Sequence, residues 1–166
     1  MFQINDYIIY GGNGVCKVID IGIPPISGMD SKRQYYILQP VYNKTSTIYT
    51  PIDNDKVIMR KVLSKKEAKE LIETIPDIDT LEDTGSAKFQ ENNYKNSMMK
   101  YDCHEWVKII KTLYIKKKDR EADGKKITST DEKYLQIAKD SLFGELAIPL
   151  EMDREETEEL VAKYFH

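Results

Sequence analysis

The chain has little with which to do chemistry. Its 166 residues include two cysteines, Cys16 and Cys103, far apart in sequence, and two histidines, His104 and His166, none of them in zinc-ligand spacing. No metal, cofactor or disulfide is expected on those terms, and two reduced, partly buried thiols are. His104-Glu105 begins like a metalloprotease helix, but no second histidine follows at the required offset. Gly11-Gly12-Asn13-Gly14 is glycine-rich, yet no Lys-Ser/Thr pair follows, so it reads as a turn between strands and not as a phosphate loop. With no nucleophile beside a base, the chain is not expected to be an enzyme. Long apolar runs are missing as well, since no window approaches the ~18 residues that span a bilayer. The first residues lack the basic-then-apolar pattern of a secretory signal, so a cytoplasmic protein with no membrane partner is expected.

What the chain does have is charge, unevenly placed. The formal net charge is −3, but residues 106–126 carry eight lysines and arginines against three acids, while residues 67–83 and those after Met152 are acidic. Segregation of this kind offers a basic face to phosphate. A lysine-rich, solvated helix end has the same appearance, and both readings stand at this point.

Hydrophobic periodicity divides the chain in two. Up to residue 60, runs rich in β-branched and aromatic residues at 7–10, 15–23, 35–42, 47–52 and 56–59 alternate with turn residues at 11–14, 24–28, 43–44 and 53–55. Five short antiparallel strands joined by tight turns suggest a small, strongly bent barrel of SH3 or Tudor type. After Leu63 the period becomes helical. Ser64 with Glu67, Asp102 with Glu105, Ser129 with Glu132 and Asp153 with Glu156 are capping signatures for four helices, and another is expected over 87–100. Pro76 and Pro149 are read as helix stops. Trp106, Ile109, Ile110, Leu113 and Tyr114 share one helical face, and Leu135, Ala138, Leu142 and Leu146 share another, as core faces do. The expected class is therefore α+β: a sheet domain over 1–60, a helix and acidic linker over 61–85, and a compact all-helical domain over 86–166.

Three features occur in order along the chain. A Phe2-x-x-x-Asp6-x-x-x-Tyr10 strand leads into Gly12-Asn13-Gly14-Val15, a Thr47-Ile48-Tyr49-Thr50-Pro51 strand follows, and the helical half holds Ala138-Lys139-x-x-Leu142-x-Gly144-Glu145-Leu146-Ala147. Together these resemble the CarD/CdnL family of bacterial RNA polymerase-binding transcription regulators, and the likeness covers nearly the whole chain. The resemblance implies a Tudor-like domain, shared with the transcription-repair coupling factor, that docks on the β subunit of RNA polymerase. It further implies a helical domain that contacts promoter DNA at the upstream edge of the melted bubble and stabilises the open complex.

Carried over residue by residue, the resemblance places polymerase contacts at Thr47, Ile48 and Tyr49. Family members often have arginine where Tyr49 stands, so aromatic packing replaces an ion pair there. Ile48 also suits the core, and Tyr49 also suits a half-exposed strand face. On the DNA side, the family's tryptophan, two arginines and Tyr-Lys correspond to Gln90, Asn92, Asn93, Tyr94 and Lys95, and Lys133 stands at the start of a helix that faces DNA in the family. Gln90 does not replace a flat apolar wedge, and Phe89, one position earlier, points elsewhere on a helix and is expected in the core. Trp106 is expected in the core too. With the arginines missing, DNA binding is expected to be weak, with a shallow salt dependence.

The resulting expectation is a monomeric regulator whose partners are the polymerase β subunit and, through weak phosphate contacts, promoter DNA. An alternative is a polymerase-bound adaptor with little or no DNA contact. An RNA-binding protein built on the same barrel would need Tyr35, Tyr36 and Tyr49 exposed on a strand face.

Overall fold

The structure, a computed structural model, describes residues 1–24, 26–28 and 32–165. Pro25, within the 24–28 separator, and the terminal His166 lie outside the described residues. The chain divides into two units, Met1–Val62 and Leu63–His166.

The first unit is an antiparallel sheet of β1 (Tyr7–Tyr10), β2 (Val15–Gly22), β3 (Tyr35–Pro40), β4 (Ile48–Pro51) and β5 (Met59–Lys61) in the order β4-β3-β2-β1-β5. A single 3-10 turn, Gly11–Asn13, joins β1 to β2. Gly11 has φ +45°, and a Cβ there would lie 2.8 Å from the Val57 side chain, so close approach of two segments requires the glycine. Ile8, Cys16, Val18, Tyr36 and Leu38 form the buried core of this unit. Burial pushes the Cys16 thiol up to about 11. The Phe2 ring stands 5.5 Å from that of Tyr36, whose hydroxyl also accepts the Phe2 N–H.

The sheet is open. Strands β4 and β5 are its edges and do not pair with each other among the described residues, so the antiparallel sheet is present without closure into a barrel. Strand β5 also begins three residues later than the run at 56–59 predicts. The Lys56 N–H is taken by the Asn54 side chain at 2.9 Å, which holds it out of the ladder, and Val57 turns into the core.

The second unit holds α1 (Lys65–Thr74), α2 (Ala87–Met98), α3 (Cys103–Ala122), α4 (Ser129–Leu150) and α5 (Arg154–Ala162), followed by a 3-10 turn at Lys163–Phe165. Ser64 and Glu67 form a reciprocal capping box on α1, and Asp102 and Asp153 accept the first free N–H groups of α3 and α5. The cap of α4 is Thr128, one residue before the expected Ser129, because its hydroxyl accepts the Asp131 N–H. Pro149 lies inside α4, which runs on to Leu150 and stops at Glu151 in the left-handed region. A proline so near the end removes one backbone bond without preventing the final turn.

Trp106, Ile109, Ile110 and Leu113 of α3 pack with Leu135, Ala138, Leu142 and Leu146 of α4 and with Leu71, Ile72 and Val161. Glu145 is fully buried in this core, accepting the Leu63 N–H at 3.0 Å and the Cys103 thiol at 3.1 Å. The acidic stretch after α1 is irregular but anchored. Lys111 Nζ donates to the carbonyls of Ile75, Pro76 and Ile78, and Thr112 Oγ1 accepts the Leu81 N–H. Among the described residues no helix is long and apolar enough to cross a membrane.

Candidate functional site

Strand β4 is an edge, and its hydrogen-bond phase can be read from its end. The Ile52 N–H donates to the Gln34 carbonyl at 3.1 Å, and β3 and β4 are in register at Tyr36↔Thr50 and Leu38↔Ile48. Antiparallel pairing then turns the backbone of residues 48, 50 and 52 toward β3 and that of 47, 49 and 51 outward. Side chains follow the same alternation. Ile48 packs on the sheet core and Thr50 is buried, whereas Thr47 is exposed and Tyr49 half-buried on the other face. Of the three residues assigned to the polymerase contact, Ile48 therefore has a core role, and Thr47 and Tyr49 offer N–H groups at the rim.

The two edges differ. Residues 47–51 carry no charge and end in Pro51, which has no N–H. Strand β5 is three residues long and carries Arg60 and Lys61, the latter 3.7 Å from Asp6. Short, charged edges resist strand addition, and uncharged ones accept it.

In the helical unit, α2, the end of α3 and the start of α4 are fastened by one buried carboxylate. Asp131 accepts the Tyr94 hydroxyl at 3.1 Å on one oxygen and lies 2.8 Å from Lys116 Nζ on the other. Tyr94 is 1% exposed, its ring 5.4 Å from that of Tyr134. Burial, and then the Asp131 carboxylate, raise its hydroxyl above the ordinary tyrosine range. Tyr94 thus supports the surface from beneath. The other residues assigned to DNA are nearer solvent: Asn92 and Lys95 are exposed, Gln90 and Asn93 half-buried. Lys95 pairs loosely with Glu91 at 3.7 Å, Gln90 Oε1 accepts the Thr84 N–H at 3.4 Å, and exposed Lys133 lies over the Tyr134 ring at 5.4 Å.

Phe89 is not in the core. It is 62% exposed, on the same outer face of α2 as Asn92 and Lys95. The sequence contains the reason: Tyr94, five positions on, is rotated by about 140° on a helix, so a buried Tyr94 leaves Phe89 facing out. Trp106, by contrast, is in the core as its periodicity predicts.

The basic run is partly consumed inside the fold. Lys108 pairs with Glu105, Lys111 holds three carbonyls, Lys116 faces Asp131, and Arg120 Nε donates to the Lys126 carbonyl at 2.6 Å. Lys117, Lys118, Lys125 and Lys126 make no ion pair among the described residues, so half of the eight cations remain for a partner. Gln90, Tyr94, Lys116 and Arg120 line one cleft, which joins the α2 residues to the basic end of α3.

No cluster of His, Cys, Asp and Glu able to hold a metal occurs among the described residues. No curated protein matches the chain. A family model does match in the region of the first unit: that of the CarD-like/TRCF RID domain, across residues 2–63.

Proposed function

We propose that this chain is a non-enzymatic transcription regulator that binds the β subunit of RNA polymerase through the edge of β4. Its helical unit then contacts promoter DNA at the upstream edge of the melted bubble and stabilises the open complex. The observation that carries the reading is the RID match over residues 2–63, a family of RNA polymerase-interacting domains. The strand singled out by the resemblance is also the uncharged open edge of that unit. A strand from the partner would bond to the outward N–H groups of Thr47 and Tyr49 and stop at Pro51.

Tethering makes a weak second contact effective, because it raises the local concentration of DNA at the helical unit. Phosphates are met by Lys95, Lys133 and the four unpaired lysines of residues 117–126. Phe89 supplies an exposed apolar ring on the same helix as Gln90, Asn92 and Asn93. Stabilisation of the open complex equals the difference between affinities for the open and closed states, and no more. A pull-down of the polymerase β lobe by the full chain tests the tether, and absence of binding removes it.

A second reading, the adaptor with little DNA contact, is supported by the internal use of Lys108, Lys111, Lys116 and Arg120 and by the burial of Tyr94. Fluorescence anisotropy with fork-junction DNA at low salt separates the two, since the adaptor gives no salt-dependent binding. The RNA-binding reading loses its main support, because Tyr35 and Tyr36 are buried.

A further inference from the structure

We infer that the cleft between α2, the end of α3 and the segment before α2 receives one unpaired base of the DNA strand. This rests on the DNA-contacting reading above and adds a mechanism by which that surface distinguishes melted from paired DNA. The cleft has a volume of about 530 Å³ and lies wholly within the helical unit. That volume falls inside the ~300–1,000 Å³ range of small-ligand sites. Leu81, Ile115 and the edge of Tyr94 give it apolar walls, and Gln90, Lys116 and Arg120 bring polar groups to them.

It carries no net positive charge. Lys116 is already paired with Asp131 at 2.8 Å, and Asp83 and Asp119 also line the cleft. Two carboxylates facing two cations, one of them neutralised, disfavour a phosphate inside. A neutral, flat group with a polar edge suits the same walls. The Gln90 amide both donates and accepts, and a carboxylate accepts from the exocyclic amino groups of adenine, cytosine and guanine. Phosphates would stay outside the cleft, where Lys117 and Lys118 fall between the α3 residues that line it and make no ion pair among the described residues.

A base held in a duplex has to be unpaired and unstacked before it can enter, whereas at the edge of a bubble it is already free. The cleft therefore binds the melted state selectively, which is the differential affinity that an effect on the open complex requires.

The test is anisotropy of the full chain at low salt on a duplex, on a fork junction of the same sequence, and on forks with an abasic site at each of the first three unpaired positions of either strand. The fork is expected to bind about tenfold tighter than the duplex, the scale of one stacked base, and one abasic position abolishes that ratio. Ile115→Trp, which fills the cleft from an exposed position on α3, lowers the ratio in the same way. A ratio that survives both the abasic scan and Ile115→Trp overturns the inference, and so does equal binding of fork and duplex, which leaves the DNA-contacting reading standing. Binding to none of the DNAs removes both.

Discussion

The sheet edge and the helical face offer themselves to partners in opposite ways. At β4 the binding feature is backbone left unused: the N–H groups of Thr47 and Tyr49 face outward because, among the described residues, no strand covers this edge. At the α2–α3–α4 face the conspicuous feature is charge, and much of it is already used. Lys111 binds three carbonyls of the segment that follows α1, and Lys116 neutralises a buried aspartate that also holds Tyr94. A run of lysines in a sequence measures neither the positive field nor the grip available to DNA. Each buried acid or helix end nearby subtracts from it.

If Lys116 and Tyr94 are structural, Asp131→Ala strands an ammonium and a phenol, and urea denaturation should show a loss of about 2 kcal/mol, scaled down from a fully buried pair because Lys116 is partly exposed. Tyr94→Phe removes a single hydrogen bond, and a loss of about 1 kcal/mol is expected in the same measurement. The division of the cations is sharpened by salt titration. Replacing Lys117 and Lys118 with glutamine should lower the slope of log affinity against log salt by roughly 0.9 for each phosphate that is no longer neutralised. Lys111→Gln should leave that slope unchanged while lowering stability, and a reduced slope would place Lys111 among the residues that touch DNA. The smallest effect is expected from Lys95→Glu, which should shorten the lifetime of the promoter open complex by a few-fold. An unchanged lifetime takes Lys95 out of the site.

Much of this is legible in the sequence where one local rule acts alone. The switch from a period of two to a period of 3.6 near Leu63, the Ser64 and Asp153 caps and the core faces of α3 and α4 need only spacing. The misplacements occur where a second interaction intervenes. The start of β5 moves because Asn54 captures the Lys56 N–H, and the α4 cap moves because the Thr128 hydroxyl takes the N–H of Asp131, three residues on, the same offset that Ser129 has to Glu132. Apolar character alone puts Phe89 in the core, although its angle to Tyr94 on the α2 wheel points it outward. The pairing of Lys116 with Asp131 is not legible at all, since 15 positions separate them and only the packing of α3 on α4 brings them together.

Polymerase binding through the open edge of β4 is the proposal on which the DNA contacts depend. It is tested most directly by the affinity of the full chain for the RNA polymerase β subunit, measured for the unaltered protein, Tyr49→Pro and Lys61→Pro, with circular dichroism confirming that each is folded. Both prolines remove an N–H that faces away from the neighbouring strand, one at each edge, where proline is tolerated. Tyr49→Pro is expected to weaken binding about tenfold or more, the scale of one or two missing hydrogen bonds, and Lys61→Pro to leave it within about twofold. Binding that survives Tyr49→Pro, or that disappears only in Lys61→Pro, contradicts the account.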